Sequence, residues 1–485
     1  MLKETTYQSD ARRILLDKYL RGEFAREPSP KPTAEREGTV RASLSQEQLW
    51  LQSEEYAIPE IYTESITIHR TATLDLNVLK QSLREILRRH DLWRTRFEMS
   101  GGHLHQVVGE AAEFPLTVVD LRGWPAHERE RKASMIGNAQ ARQPFNLSRG
   151  PLVRATIVTL GDQQHRLYID MHQIITDGIS AFQLLPTELA TLYDSFLTGS
   201  PSTLPELAWQ FADYAAWQRE WLQGAALQTQ LEYWRGRFAL QSSLLHWPND
   251  GVRPPLETHR AKIKPFALSW EALDELQTVR KSTGISLFAS LVAVFTALLH
   301  CYSQQHDFVL GTLAPSGRHR TEFQNLLGYF MNPVPLQFQI SSDLTFRELM
   351  MQAQEVVCGA ISHGDVPFEQ AVKAIGKQPV PGHYPLFRTG ISLAPAVTSL
   401  PPGWDMTSMD VESGAGRWGL YLVMSERREH LMGRAQYNPD VFTQATIAAL
   451  LDDFRKLVEI AGVNPDHRLS DLLTAANVRN PEKPR

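Results

Sequence analysis

Residues 167–180 read Leu-Tyr-Ile-Asp-Met-His-Gln-Ile-Ile-Thr-Asp-Gly-Ile-Ser and place His172, Gln173, Asp177, Gly178 and Ser180 within one short span. A neutral imidazole titrates near ~6.5 and can take a proton. A carboxamide offers one acceptor oxygen and two N–H donors and does not titrate near neutrality. Apolar residues lead into the span as a strand, Asp177-Gly178 breaks it, and 179–192 resumes as a helix. Backbone N–H groups at a helix start can face a developing anion. A polar cluster at a strand-to-helix turn is a common place for catalytic groups. A His, a Gln and an Asp near a turn also serve purely structural ends, and this segment alone does not decide.

The elements around it come from a chain of 485 residues, enough for two or three domains. Apolar residues make up 42% and charged residues 21%, and the net charge is 49 − 54 = −5. That balance excludes nucleic-acid binding through bulk charge. Two cysteines, Cys301 and Cys358, cannot build a disulfide scaffold, and no Cys/His zinc spacing occurs, which suits a reducing cytoplasm. No secretory pattern opens the chain, and the longest apolar stretch, 287–299, is too short for a membrane span and reads as a buried core helix.

Residues 8–22 read as a short amphipathic helix, followed by a stiff linker with proline at alternate positions in 27–33. Residues 1–39 are therefore a possible docking element or a tail packed on its own domain. Helical spacing marks 76–90, 209–238, 285–302 and 445–461, and strand-like runs mark 152–172, 307–313 and 334–340. Breaker clusters at 201–205 and 247–255 fit two halves of mixed helix and strand around a helical middle. The domain expectation is a first lobe over 40–225, a second over 226–475 and a tail over 476–485. Ligand sites favour the interface between such halves. His103-Leu-His105 has a metal-like spacing, but Gly101-Gly102 before it reads as a hairpin turn. Trp209, Trp217, Trp221 and Trp234 read as packing.

Several spaced motifs together resemble the condensation domains of nonribosomal peptide synthetases. That family's signature is His-His-x-x-x-Asp-Gly, and His172 to Gly178 aligns with it. Ser43-Leu-Ser-Gln46-Glu-Gln-Leu49-Trp50 matches the opening motif, and Arg89-His90-Asp91 through Phe97 the second. Residues 143–154 fit the segment before the active-site strand. Phe211-Ala-Asp213-Tyr214-Ala-Ala-Trp217, Gly328-Tyr-Phe330-Met-Asn332 and His363-Gly-Asp365-Val-Pro367-Phe368-Glu369 follow in family order. The resemblance implies an α/β (α+β) fold of two chloramphenicol acetyltransferase-like lobes in a V, with a tunnel between them. It also implies the reaction: an acyl or peptidyl thioester on a donor carrier protein is attacked by an amine on an acceptor carrier protein. Both substrates ride on phosphopantetheine arms of the carriers, so no cofactor or metal is intrinsic to this chain. The expected partners are those carriers and neighbouring synthetase or polyketide synthase modules, the helix and proline linker hinting at a polyketide-type donor. No membrane or nucleic acid partner is expected, and the isolated domain is expected to be monomeric.

The resemblance also assigns residues. His172 is structural. Asp177 turns inward to pair with an Arg, for which Arg318 in Gly311–Arg318 is the candidate. Gly178 lets the chain turn closely past the substrate and offers its N–H to the thioester oxygen. Ser180, Tyr329, Asn332 and Trp418 are expected along the tunnel. The departure is Gln173, where the family carries its second His, assigned as a general base or as a group that positions the amine. Gln173 cannot accept a proton, and general-base help is worth roughly 10²–10⁴ in rate. Orientation alone can supply about 7–11 kcal/mol of barrier. Three readings stay open: a working domain in which Gln173 positions the acceptor, a domain that no longer condenses and binds carriers or gates the line, and an engineered His-to-Gln inactivation. A CoA-dependent acyltransferase of the same superfamily would lack the same His.

Overall fold

The computed structural model describes residues 29–32, 39–55, 59–110, 113–238, 244–247, 258–341, 343–376, 386–397, 399–407 and 410–478. The expected helix at 8–22 and the tail beyond 478 lie outside these residues. Three sheets organise the chain. The small one joins β1 (Thr39–Arg41), β3 (Thr95–Ser100) and β4 (His103–Val108) in the order β1-β4-β3. Its hairpin closes through Gly101 and Gly102 at φ 59° and 78°, a left-handed pair that side chains with a Cβ resist.

The five-stranded sheet has the order β12-β2-β7-β6-β5, built from β2 (Thr63–Arg70), β5 (Leu116–Asp120), β6 (Val153–Gly161), β7 (Gln164–His172) and β12 (Trp404–Thr407). Along β7 the apolar residues Leu167, Ile169 and Met171 alternate into the core packed by helices Leu76–Arg89 and Leu185–Leu197. Successive side chains point to opposite faces, so Tyr168, Asp170 and His172 share the other face. Tyr168 there lies against Gly137 of helix Ala126–Ala141, where an added Cβ would stand 2.7 Å from the ring.

The six-stranded sheet has the order β10-β9-β11-β13-β14-β8, from β8 (Lys262–Ser269), β9 (Asp307–Pro315), β10 (Met331–Gln339), β11 (Thr389–Ala394), β13 (Leu420–Glu426) and β14 (His430–Tyr437). Helix Leu287–Ser303, apolar on every side, is buried along nearly its whole length within this second core; all-round apolarity requires it. Among the described residues no single helix is long and apolar enough to cross a membrane. The aromatic stretch 209–238 is two helices, Phe211–Trp221 and Gly224–Arg237, with Leu222 and Gln223 between them. Trp217 and Trp221 stack at 5.6 Å.

A cut at 225/226 follows these cores only in part. Strand β12 of the second half pairs antiparallel with β2, Trp404 opposite Arg70 through Thr407 opposite Thr67. Phe323, Leu326, Leu327 and Phe330 likewise pack into the first core with Phe211, Tyr214 and Trp217. The reason is apolar burial: these rings have their partners across the cut, and Gly328 lies so close to Phe211 that a Cβ would come within 2.1 Å.

Candidate active site

The chain leaves β7 at His172, makes a short 3-10 turn over Gln173–Ile175 and becomes helical from Gly178, with a π-helical turn at Ser180–Leu184 before helix Leu185–Leu197. The opening motif holds this turn. The Ser43 Oγ accepts from the Gln46 N–H, and the Gln46 Oε1 accepts from the Ser43 N–H, both at 3.1 Å. Thus capped, the Gln46 amide donates from Nε2 to the carbonyl of Ile174 at 3.0 Å. All of Gln46 is buried, so its bond fixes the backbone beside Gln173 at a place water does not reach.

His172 is turned into the core. Its Nδ1 accepts from the Ile174 N–H at 3.1 Å, Tyr62 packs at 5.9 Å, and Phe145 meets the ring edge-on at 6.2 Å. Burial, reinforced by the charge of Arg417, lowers its pKa to about 3. The imidazole is therefore neutral at neutral pH, with one nitrogen committed to the backbone.

Asp177 and Arg318 form a bidentate pair. Nη2 of Arg318 lies 2.9 Å from Oδ1 and 3.0 Å from Oδ2, and Nε lies 3.2 Å from Oδ2. Neither group is accessible to a meaningful degree. Asp177 Oδ1 also caps the following helix by accepting from the Ser180 N–H at 2.7 Å. Arg318 Nη1 donates to the carbonyls of Phe323 and Leu326, and its guanidinium lies 4.0 Å from the Phe330 ring centre. Burial pulls the Arg318 pKa down while Asp177 opposes the shift. The pair is a tie between the two halves and not a proton-transfer group.

Ser180, expected along a tunnel, is spent inside this network. Its hydroxyl donates to the Gly328 carbonyl at 3.2 Å and accepts from the Gly328 N–H and Arg318 Nη2, each at 2.9 Å. A hydroxyl has no further hydrogen-bonding capacity, so a substrate-binding role for it is corrected to a positioning one. Asn332 is corrected in the same way: Nδ2 donates to the carbonyls of Gly364 and Val366 at 2.9 and 2.6 Å, and Oδ1 accepts from the Phe368 N–H. It pins the 364–368 loop. Tyr329 is buried in the first core. Trp418 is buried over Gly390 and between Phe387 and Tyr421, at 5.3 and 4.4 Å. Its place is an aromatic stack of the second core.

Gly178 has no left-handed φ, and an added Cβ would stand 3.5 Å from Pro395 Cδ and 3.6 Å from the Phe182 ring. These are ordinary contacts, so the chain's own turn does not demand glycine here.

Gln173 is half-buried, and its Oε1 is buried without accepting a hydrogen bond among the described residues. An unpaired buried carbonyl-type acceptor costs about 1–3 kcal/mol. The surrounding elements are β2, where Glu64 pairs with Arg434 of β14 at 3.7 Å, and the 395–397 segment, whose Ala396 carbonyl accepts from Gln183 Nε2 at 2.8 Å. Sequence reasoning gave no role to Gln46, Arg417 or the Glu64–Arg434 pair. Only Gln46 carried a readable signal, its three-residue spacing from Ser43.

The fold and this turn place the chain among condensation-type domains. The X-domain from teicoplanin biosynthesis superposes with a TM-score of 0.78 at 25% identity, covering 92% of this chain and 99% of that one. The first condensation domain of the calcium-dependent antibiotic synthetase, in complex with a substrate analogue, gives 0.77 at 19% identity over 89% of this chain and 98% of that one. Residues 36–481 match the Condensation domain family, and the chain belongs to it. A linear gramicidin synthase of Brevibacillus parabrevis is 33% identical over 441 residues, 90% of this chain and 8% of that protein. Phosphinothricin tripeptide synthetase PhsC of Streptomyces viridochromogenes is 29% identical over 488 residues, 97% of this chain and 44% of that protein. The chain thus spans less than half the length of these curated relatives.

Proposed function

We propose that the chain is a working condensation domain of a nonribosomal peptide synthetase or hybrid polyketide line. It joins an acyl or peptidyl thioester on one carrier protein to an amine on another, in the cytoplasm. The observation that carries this reading is the Gln173 turn, built to the family plan by Gln46, His172 and the Asp177–Arg318 pair, with the Gln173 oxygen left buried and unpaired. That oxygen is an acceptor for an incoming N–H. Holding the two reactants together supplies the rate. The protein contributes orientation and no proton acceptor at position 173.

A second reading is favoured by one comparison. The X-domain from teicoplanin biosynthesis, which is as similar in fold as the condensation domains, is also known in a complex with OxyB. On that reading this chain binds a partner protein and forms no bond. The test is to load donor and acceptor carriers, add the protein and follow both carriers by intact mass spectrometry. Transfer of the acyl group to the acceptor carrier supports the first reading. Carrier binding without transfer, in the parent and in Gln173→His alike, supports the second.

A further inference from the structure

We propose that Arg154 is a positioning residue for the Gln173 turn: it clamps Phe145 against His172 and so fixes the direction of the Gln173 carboxamide. The inference rests on the condensation reading above and adds residues that act on the turn from behind. Arg154 of β6 and Ser65 of β2 stand directly opposite Asp170 of β7. The three side chains share one face of the sheet, and His172, two residues further along β7, lies on that same face. Burial lowers the Arg154 pKa and raises that of Asp170. Taking such a pair out of water carries a desolvation cost, so what the pair holds matters.

Asp170 Oδ1 accepts from the Ser65 hydroxyl at 2.7 Å. Its Oδ2 is buried, accepts no hydrogen bond among the described residues and lies 3.5 Å from Arg154 Nε. Asp170 is therefore a charge partner of Arg154 that does not grip its fork. The fork is held instead by carbonyls at the end of helix Ala126–Ala141: Nη2 donates to Gln140 at 3.0 Å and to Gln143. So held, the guanidinium lies 3.9 Å from the centre of the Phe145 ring. Phe145 in turn meets the His172 ring edge-on at 6.2 Å, and Tyr62 packs on that ring at 5.9 Å. His172 Nδ1 accepts from the Ile174 N–H, a bond that spans Gln173. The line from Asp170 through Arg154, Phe145 and His172 thus ends on the residues either side of Gln173. Lysine keeps the charge beside Asp170 but offers neither the flat face over Phe145 nor the fork to two carbonyls.

The experiment measures single-turnover transfer from a panel of acyl-loaded donor carriers to a glycyl-loaded acceptor carrier. The proteins are the parent, Arg154→Lys, Phe145→Leu, Gln173→Ala, Gln173→His and the two double variants with Gln173→Ala, with melting curves as a folding control. Arg154→Lys and Phe145→Leu are each expected to lower the maximal rate at least ~10-fold, with half-saturation by the acceptor carrier unchanged within about twofold. In the Gln173→Ala background each should change the rate by less than about threefold, since a residue acting through Gln173 then has nothing to position. A second readout needs no turnover. With ¹³C-labelled histidine, the ring signal absent from His172→Asn should move in Arg154→Lys and in Phe145→Leu. A maximal rate for Arg154→Lys within about threefold of the parent, or the full loss persisting in the Gln173→Ala background, overturns the positioning role. So does a His172 signal unmoved by Arg154→Lys. Absence of product in the parent and in Gln173→His overturns instead the condensation reading, and the histidine signal then decides by itself whether Arg154 acts on the turn.

Discussion

Replacing Asp177 by alanine tests the tie between the halves. The substitution leaves the Arg318 guanidinium, 5% exposed, facing an empty place where three charge-assisted hydrogen bonds were made. Breaking a buried pair from one side costs about 3–5 kcal/mol, and the lost Ser180 cap adds about 1 kcal/mol. At roughly 2–4 °C per kcal/mol for a cooperative unit of 150–250 residues, Tm should fall by about 8–24 °C. Thermal melting by circular dichroism reads this directly. The double variant Asp177→Ala/Arg318→Met removes both charges, and replacing a buried pair by apolar groups is often neutral. It should recover at least ~1 kcal/mol relative to the sum of the singles. A Tm within 2 °C of the parent for Asp177→Ala, or strict additivity in the double variant, would refute the reasoning.

Other perturbations separate fold from chemistry. Gly178→Ala should leave Tm within about 2 °C, since its Cβ meets only ordinary contacts, yet lower carrier-to-carrier transfer at least ~10-fold; unchanged transfer would remove Gly178 from the substrate path. Gly311→Ala should be severely destabilised or unfolded, because its Cβ would lie 2.1 Å from Phe387 Cε2; a normal melting curve would show that this ring yields. Gln46→Ala loses a buried bond to the Ile174 carbonyl and should cost about 1–3 kcal/mol in urea unfolding. His172, held neutral down to about pH 3 by burial and Arg417, binds its proton in the unfolded chain from ~6.5 downward. Its stabilising contribution is thus full above ~6.5 and is lost as pH falls toward 3. At pH 5 the loss is about 2 kcal/mol, from 1.5 pH units at 1.36 kcal/mol each. His172→Asn should lose that much less stability than the parent between pH 7.5 and 5; an identical pH dependence in both would place the ring outside the core.

The signature turn was legible because its order of residues, a strand run followed by Asp-Gly and a helical pattern, is local. The hairpin at Gly101-Gly102 and the core helix at Leu287–Ser303 were legible for the same reason: backbone chirality and all-round apolarity act within a few residues. The partition of the chain was not, since β12 completes a sheet begun over 300 residues earlier and no local pattern announces a strand of four residues. Ser180 and Asn332 show the matching failure at the site. A hydroxyl and an amide look like substrate ligands in a sequence, and only the fold reveals that backbone groups from residues 328 and 364–368 have already claimed them.

The central claim is that carrier-bound partners condense beside an amide that orients without accepting a proton. Single-turnover transfer, followed by the mass of the acceptor carrier for the parent and Gln173→Ala, tests it most directly. The account predicts an acyl-amide on the acceptor with the parent and at least a tenfold slower rate in Gln173→Ala at unchanged Tm. No transfer by the parent where Gln173→His does transfer, or equal rates for parent and Gln173→Ala, would contradict it.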